Sequence, residues 1–542
     1  MEASVQRTPR RLPMSIALAV VLVAAGCSQL GAPRTGGAPT PAGATTTVQA
    51  PTTPSSSGST TPPTTTHPPS APTWRFPLQV SADHRYLVDQ DGKPFRVQGD
   101  AGWEASVDLT LDGWRSYLDD RRARGFNTVL VQMTNPVKYN ASSHAPGAVG
   151  AGGALPFLTN TAGGAWDGDP TFAGDHGAHN PAPGHFDASF ASPNPAYFAW
   201  IDQLLNEANA RNMVVVLTVS YFGYDKGAQD GWWRTMTNAA NTQAVSFAFG
   251  QYLGNRYKNV PNIIWEAGVD MLPPAGSEGE ARAYKMLEGI KAAGDTHLWT
   301  GHWVHDYLST DSATFAPSMD IEGVYTHGAY PQRGPTYARS RLGYSQQPAK
   351  PAVLLETNYE NEHNATAADI RSYMWGAALS TVGGVIFGSA PLWNFPPDWQ
   401  NHLDTPGAHD MQRLGAFLDS IPWYQLVPSE LNGMKKLITG GTGSYTTMAQ
   451  PGDSEVGGDD WVVSAATPDG KHLVAYVPDA HNGDITVDAT ALSGTAQARW
   501  FDPSSGTSSD AGTVANAGTR AFTPPGKNGA GAKDWVLILE VR

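Results

Sequence analysis

Eight short apolar runs spread over residues 95–389 limit what this chain can fold into more than any other feature. They are "FRVQGD" (95–100), "NTVLVQM" (127–133), "MVVVLTVS" (213–220), "NIIWEAG" (262–268), "HLWTGH" (297–302), "DIEGVYTH" (320–327), "PAVLLE" (351–356) and "GGVIFGS" (383–389). The β-branched stretches are continuous rather than alternating, the pattern of parallel strands buried on both faces. Amphipathic segments such as "LDGWRSYLDDRRARG", "AYFAWIDQLLNEANARN" and "GEARAYKMLEGIKAAG" stand between them. About eight β/α units predict an α/β protein built on a (β/α)8 TIM barrel. After "IPWYQLVPSE" the pattern changes to short alternating strands parted by Gly, Pro and Asp turns, from "WVVSAATPDG" to "DWVLILEVR". That predicts a C-terminal antiparallel β-sandwich. The expected boundaries are 74–430 for the barrel and 431–542 for the sandwich. No period of about 20–50 residues recurs, which argues against solenoids and propellers.

The N-terminal segment reads as an address rather than as structure. Arg7, Arg10 and Arg11 precede the apolar "MSIALAVVLVAAG", which is short for a membrane span but suits a signal-peptide core. Cys27, the single cysteine, follows "AAG", and "AAGC" resembles a bacterial lipoprotein box. Residues 1–27 are therefore expected to be a signal peptide with Cys27 as the lipidation site; the plainer possibility is a secretory peptide. Residues 28–73, rich in Pro, Thr and Ser, cannot build a core and read as a disordered linker. A membrane lipid anchor facing outside the cytoplasm is the expected location.

A net charge of -14 argues against nucleic acid, whose phosphates would repel such a surface. The 17 Trp and 19 Tyr suit a neutral polar ligand that stacks on ring faces, although Trp is also ordinary core material. There is no P-loop, HExxH or CxxC, and no cofactor or metal is expected. "WDGDPTFAGDH" (166–176) lacks the glutamate that closes an EF-hand loop and reads as a solvated insertion.

Barrel enzymes work at the C-terminal ends of their strands. Collected there are Asp100 and Trp103, Gln132 and Asn135, Tyr221, Glu266 and Asp270, His302 and His305, Tyr325 and His327, Glu356, and Trp393. Carboxylates thus converge after the first, fourth and seventh strands. Two facing carboxylates are what glycoside cleavage requires, one protonating the leaving oxygen and the other attacking or stabilising the anomeric centre. Glu356, straight after "AVLL", would be costly to bury without a partner or a cavity. Asp100 and Trp103 would either bind a sugar's hydroxyl and face or cap the barrel. His302 and His327 read equally as ligand contacts or structural histidines, and His305 as structural. Trp393 is either a stacking platform or core, and Gln132 and Tyr325 are candidates by position.

The opening "FRVQGDAGWEA", with "GFNTVLVQ", "NIIWEAGVD", "PAVLLETNYE", "RSYMWGAALSTVGGVIFG", "LWNF" and "LDTPGAHDMQRLGAFLDSIPWYQLVP", resembles the apiosidase-like catalytic domain of glycoside hydrolase family 140. The sandwich resembles the collagen-binding domain that follows it in such chains. "WE" at 265–266 also resembles the fourth strand of retaining barrel glycosidases, with Asp270 at the acid/base position. The resemblance implies a hydrolase with Asp270 as acid/base and Glu356 as nucleophile, and Glu266 becomes a supporting acceptor. Family members carry "GGD" where this chain has "GVD", so Val269 is a departure beside the acid. The expected function is an extracytoplasmic glycoside hydrolase, retaining, cleaving a pentofuranoside-type linkage in an oligo- or polysaccharide. The alternative is a surface lipoprotein that binds glycan or matrix without cleaving it.

Overall fold

The computed structural model describes residues 73–134, 154, 156–158, 189–223, 231–328, 333–445 and 458–542, with the Arg234 side chain excepted. The expected signal peptide, Cys27, the linker, Asn135 and the 166–176 loop lie outside the described residues.

Eight parallel strands form the central sheet: β1 (Val97–Ala101), β2 (Thr128–Gln132), β3 (Val214–Thr218), β4 (Ile263–Gly268), β5 (Trp299–His302), β6 (Glu322–Tyr325), β7 (Ala352–Glu356) and β8 (Val382–Phe387). Hydrogen-bonded ladders join all neighbours except β5 and β6, which end the sheet's order. That seam is narrowed by Trp299, whose carbonyl accepts from the amides of Asp320 (2.9 Å) and Ile321 (3.0 Å). The sheet is a nearly closed barrel.

Its inside and outside follow from strand parity, since successive side chains point to opposite faces. Val97, Leu130, Val214, Val216, Ile264, Val353, Leu355 and Ile386 fill the interior. Leu78, Leu87 and Phe95 close its floor from a small three-stranded antiparallel sheet that precedes β1.

Helices α1 (Leu111–Ala123), α2 (Pro195–Ala210), α3 (Gln243–Tyr257), α4 (Glu278–Ala292), α5 (Arg333–Ser345), α6 (Ala367–Thr381) and α7 (Pro406–Asp419) cover the outside. Six of the seven begin on a side-chain oxygen, from Thr110, Asn194, Thr242, Ser277, Thr366 and Thr405, that accepts from an otherwise orphaned first-turn amide. Thr366 and Asp369 complete a reciprocal capping box. Among the described residues the fifth unit has no long helix. Its connection carries two 3-10 turns, Ser309–Asp311 and Ala316–Ser318, the second opened by Pro317. Short β-turn formers and a proline stop a helix there.

The C-terminal region is antiparallel throughout. One six-stranded sheet takes β9 (Val427–Pro428), β11 (Val463–Ala466), β12 (His472–Val477), β17 (Trp535–Val541), β14 (Ala496–Phe501) and β15 (Ser508–Val514), in that spatial order. A three-stranded sheet of β10 (Ile438–Gly440), β13 (Ile485–Asp488) and β16 (Thr519–Phe522) faces it. The six-stranded sheet is covered on both sides. Leu473, Ala475, Val477, Leu537 and Leu539 pack in the sandwich's own core. Their neighbours Val474, Tyr476, Val536 and Ile538 join the barrel's helical layer. There Trp375 of α6 stacks on Tyr476 with ring centroids 6.0 Å apart.

Candidate active site

At the mouth, β4 ends in three consecutive left-handed residues: Gly268 (φ 94°), Val269 (φ 83°) and Asp270 (φ 61°). Gly268 suits this, because a Cβ there would lie 2.5 Å from the His302 carbonyl oxygen. Val269 does not, and a β-branched residue held in this region costs about 1–3 kcal/mol. Its side chain is buried among Ile264, Tyr221 and the other interior residues, which offsets part of that cost. The abrupt turn lifts Asp270 off the strand axis and leaves its carboxylate at the solvent edge. Two phenols hold it there: Tyr325 donates to Oδ1 (2.7 Å) and Tyr221 to Oδ2 (3.1 Å).

Glu356 ends β7. The register of β7 against β6 slips between Leu354 and Glu356, so Leu355 and Glu356 both turn to the interior side. Its side chain is 9% exposed. Tyr359 donates to Oε1, and Trp103 donates its indole N–H to the Tyr359 oxygen. Gly388 makes room for that phenol, since a Cβ there would lie 2.1 Å from the Tyr359 ring.

His302, at the end of β5, sits between two acids. Nδ1 is 3.3 Å from Glu266 Oε1, and Nε2 is 3.0 Å from Glu356 Oε2. Thr218 donates to the other Glu266 oxygen. Trp103 and Tyr325 wall the imidazole, with centroids at 5.5 and 4.2 Å. One oxygen from each of Asp270 and Glu356, and one nitrogen of His302, lie within 4.8 Å of one another.

This arrangement drives the two carboxyls apart in acidity. Burial, then the nearby Glu356 charge, holds the Asp270 carboxyl above the usual carboxylate range. Burial pushes Glu356 up as well, but His302, His327 and Tyr359 outweigh it and leave its carboxyl below the usual range. Burial alone would discharge His302; Glu266 and Glu356 reverse that and push it up to about 10. His302 thus joins two acids, with Nδ1 toward Glu266 and Nε2 toward Glu356.

The structure brings together Trp103, Glu266, Asp270, His302, Tyr325 and Glu356. Gln132 lies on the inward register of β2, its amide bonded to the Trp103 carbonyl at 2.8 Å. Trp393, half-buried, packs against the barrel's interior cluster at the rim. His327 sits beyond Glu356, its ring 5.5 Å from Tyr359 and its Nε2 2.8 Å from Glu362 Oε2. His305 pairs with Asp306 and stays half exposed, away from the cluster.

Asp100 corrects the sequence reading: it is not in the mouth. Its parity on β1 turns it outward, where it is fully buried and accepts from Arg121 Nε (2.5 Å) and Tyr117 (2.6 Å) of α1. It fastens strand to helix and has no opening through which to meet a sugar. Three participants escaped sequence reasoning. Thr218 is an inward residue on β3, Tyr359 lies three residues past Glu356, and Glu362 lies six past it. Tyr359 alone had a signal, its place in the "PAVLLETNYE" block that carries the family resemblance.

Comparison with known families settles the lineage. A family model described as the apiosidase-like catalytic domain matches residues 81–425. The chain belongs to the apiosidase-like family. A second model, a collagen-binding domain of a collagenase, matches residues 453–540. Apiosidase-like chains are glycosidases, and the barrel is this one's catalytic domain. Among solved structures, one described as a glycoside hydrolase aligns with TM-score 0.64 at 21% identity, over 85% of this chain and 96% of that one. A glycoside hydrolase family 5 structure from Bacteroides vulgatus aligns with TM-score 0.64 at 20% identity, over 85% and 93%. At such identity these neighbours speak for the fold. No curated protein matches the chain.

Proposed function

We propose that this apiosidase-like hydrolase retains anomeric configuration, cleaving a pentofuranoside-type linkage in a complex glycan outside the cytoplasm. The observation that supports the mechanism is that the two carboxyls face each other across the mouth, their nearest oxygens no more than 4.8 Å apart, which bounds the oxygens and not the carboxyl centres. Retaining glycosidases hold their carboxyls about 5–5.5 Å apart, whereas inverting ones leave about 6.5–9.5 Å for a water. In the first step a Glu356 oxygen attacks the anomeric carbon while the Asp270 proton passes to the glycosidic oxygen. The C–O bond breaks and the aglycone leaves as an alcohol. Asp270, now a carboxylate, takes a proton from water, whose oxygen displaces Glu356 from the sugar. The pentofuranoside reading rests on apiose, the family's namesake sugar, and fold alone does not set specificity. Proton NMR of the first-formed product from a panel of aryl pentofuranosides and aryl pyranosides tests both parts. Inverted product would sink the mechanism, and turnover of pyranosides alone would sink the sugar class.

Activity requires Glu356 ionised and Asp270 protonated. The acid limb of kcat/KM therefore reports the lowered Glu356 and the alkaline limb the raised Asp270, as macroscopic constants of a coupled pair. Tyr325 donates to the Asp270 carboxylate and favours its ionised form. Tyr325→Phe is expected to move the alkaline limb to higher pH and leave the acid limb in place. A limb that stays put or moves down contradicts this assignment of the acid.

The location is proposed from Arg7, Arg10, Arg11, the apolar run and Cys27. Fractionation of the full chain beside Cys27→Ala checks it: the parent is expected in the membrane fraction and the variant released from it. Equal partition of both removes the lipid anchor.

A further inference from the structure

We infer that His327, Glu362 and His363 form a binding site for one zinc-type divalent metal ion at the rim of the mouth, beside the carboxyl pair. One donor atom from each residue lies within 4.8 Å of the other two. His327 comes from the loop after β6, and Glu362 and His363 from the loop after β7. His327 Nε2 is 2.8 Å from Glu362 Oε2, and the two imidazoles stand 5.8 Å apart at 57°.

Adjacent residues of an extended chain point opposite ways. Here Asn361, His363 and Asn364 are all left-handed (φ 67°, 49° and 63°), and the folded-back loop turns Glu362 and His363 toward the same partner. The Tyr359 amide donates to the same Glu362 Oε2 at 3.4 Å and helps hold that carboxylate. Such outer contacts orient metal ligands.

The donor set decides the ion. Two imidazoles with one carboxylate suit zinc, whose open sites use three protein ligands and leave a fourth position. Calcium and magnesium prefer oxygen ligands throughout. Zinc holds its donors at about 2.0–2.2 Å, so donors across the ion stand at most about 4 Å apart. In a tetrahedral site the donors stand about 3.3–3.6 Å apart, so His327 Nε2 and Glu362 Oε2, now 2.8 Å apart, open slightly while the other pairs close by at most about 1.5 Å, within the reach of side-chain rotations. His327 and Glu362 keep 20% and 11% of their side chains exposed, which lets an ion enter from solvent. Tyr359 packs on His327 and bonds Glu356, so the ion would lie one side chain from the proposed nucleophile. Its open position would be available to a substrate oxygen at the rim.

The test reads binding, not turnover. The full chain, stripped with a chelator and dialysed, is titrated with zinc chloride by calorimetry. One equivalent is expected to bind and to raise the thermal midpoint. His363→Ala and Glu362→Gln are each expected to weaken binding at least tenfold, and His327→Gln likewise. Glu356→Gln, with the rim residues intact, is expected to bind as the parent does. No binding by the parent overturns the site. So does unchanged affinity in His363→Ala and Glu362→Gln, or loss in Glu356→Gln with retention in His363→Ala.

Discussion

Glu356→Ala is expected to lower kcat/KM on an activated aryl glycoside by about four to six orders of magnitude, the range in which a lone nucleophile's removal falls. The side chain sits at a register slip, held by Tyr359 and His302 on separate oxygens. Alanine also opens space for a small anion. Azide is expected to restore part of the rate and give a glycosyl azide of inverted configuration, because attack then comes from the vacated face in one step. Asp270→Asn should cost less, about two to four orders, as expected for a general acid. That cost should shrink as the leaving group improves, since a good leaving group needs little protonation. A Glu356→Ala enzyme within tenfold of the parent, or azide products of retained configuration, would remove Glu356 from the nucleophile's role.

Arg371→Met is expected to lower folding stability by about 3–5 kcal/mol, the cost of leaving buried charge without its partner. Arg371 of α6 is 1% exposed and bonds Asp534 twice (2.7 and 2.8 Å) and Asp410 once (3.0 Å). Asp534 immediately precedes β17 of the sandwich, and Asp410 belongs to α7 of the barrel. Tyr476 and Asn528 complete the shell around Asp534, at 3.1 and 2.8 Å. Methionine fills the volume but leaves the fully buried Asp534 without a cation, while Asp410 keeps Arg413 at 2.7 Å. Urea midpoints measure the effect, and Arg371→Met combined with Asp534→Leu should recover much of the loss. A loss under about 1 kcal/mol would place this cluster with ordinary surface pairs. Because Trp375 and Tyr476 stack across the same contact, barrel and sandwich are expected to unfold in one transition.

The barrel was legible because its strands are continuous apolar runs, and a run buried on both faces announces a parallel sheet. The same property hides parity. In "FRVQGD" nothing separates the inward Val97 from the outward Gln98, so Asp100 read as a mouth residue when it faces α1. Glu356 was legible as an unaccompanied acid after "AVLL", and the slip that turns it inward was not. Asp270 and Glu356 could be named because their type and strand position suffice for the chemistry. The bridge of Glu266, His302 and Glu356 joins residues up to 90 positions apart, and no local pattern encodes it. The missing fifth helix was foreshadowed only by Pro317 and its Ser and Thr neighbours.

A sheet packed on both sides has no broad face left for anything else. Anything the C-terminal domain grips must meet the outer side of Ile438–Gly440, Ile485–Asp488 and Thr519–Phe522, or the margin formed by Ser508–Val514. Five of that margin's seven residues are Ser, Gly, Asp or Thr, and the outward residues Thr486, Asp488, Thr519 and Ala521 are mostly polar. A ligand there would be hydrated and held at its edges, as a polysaccharide chain is.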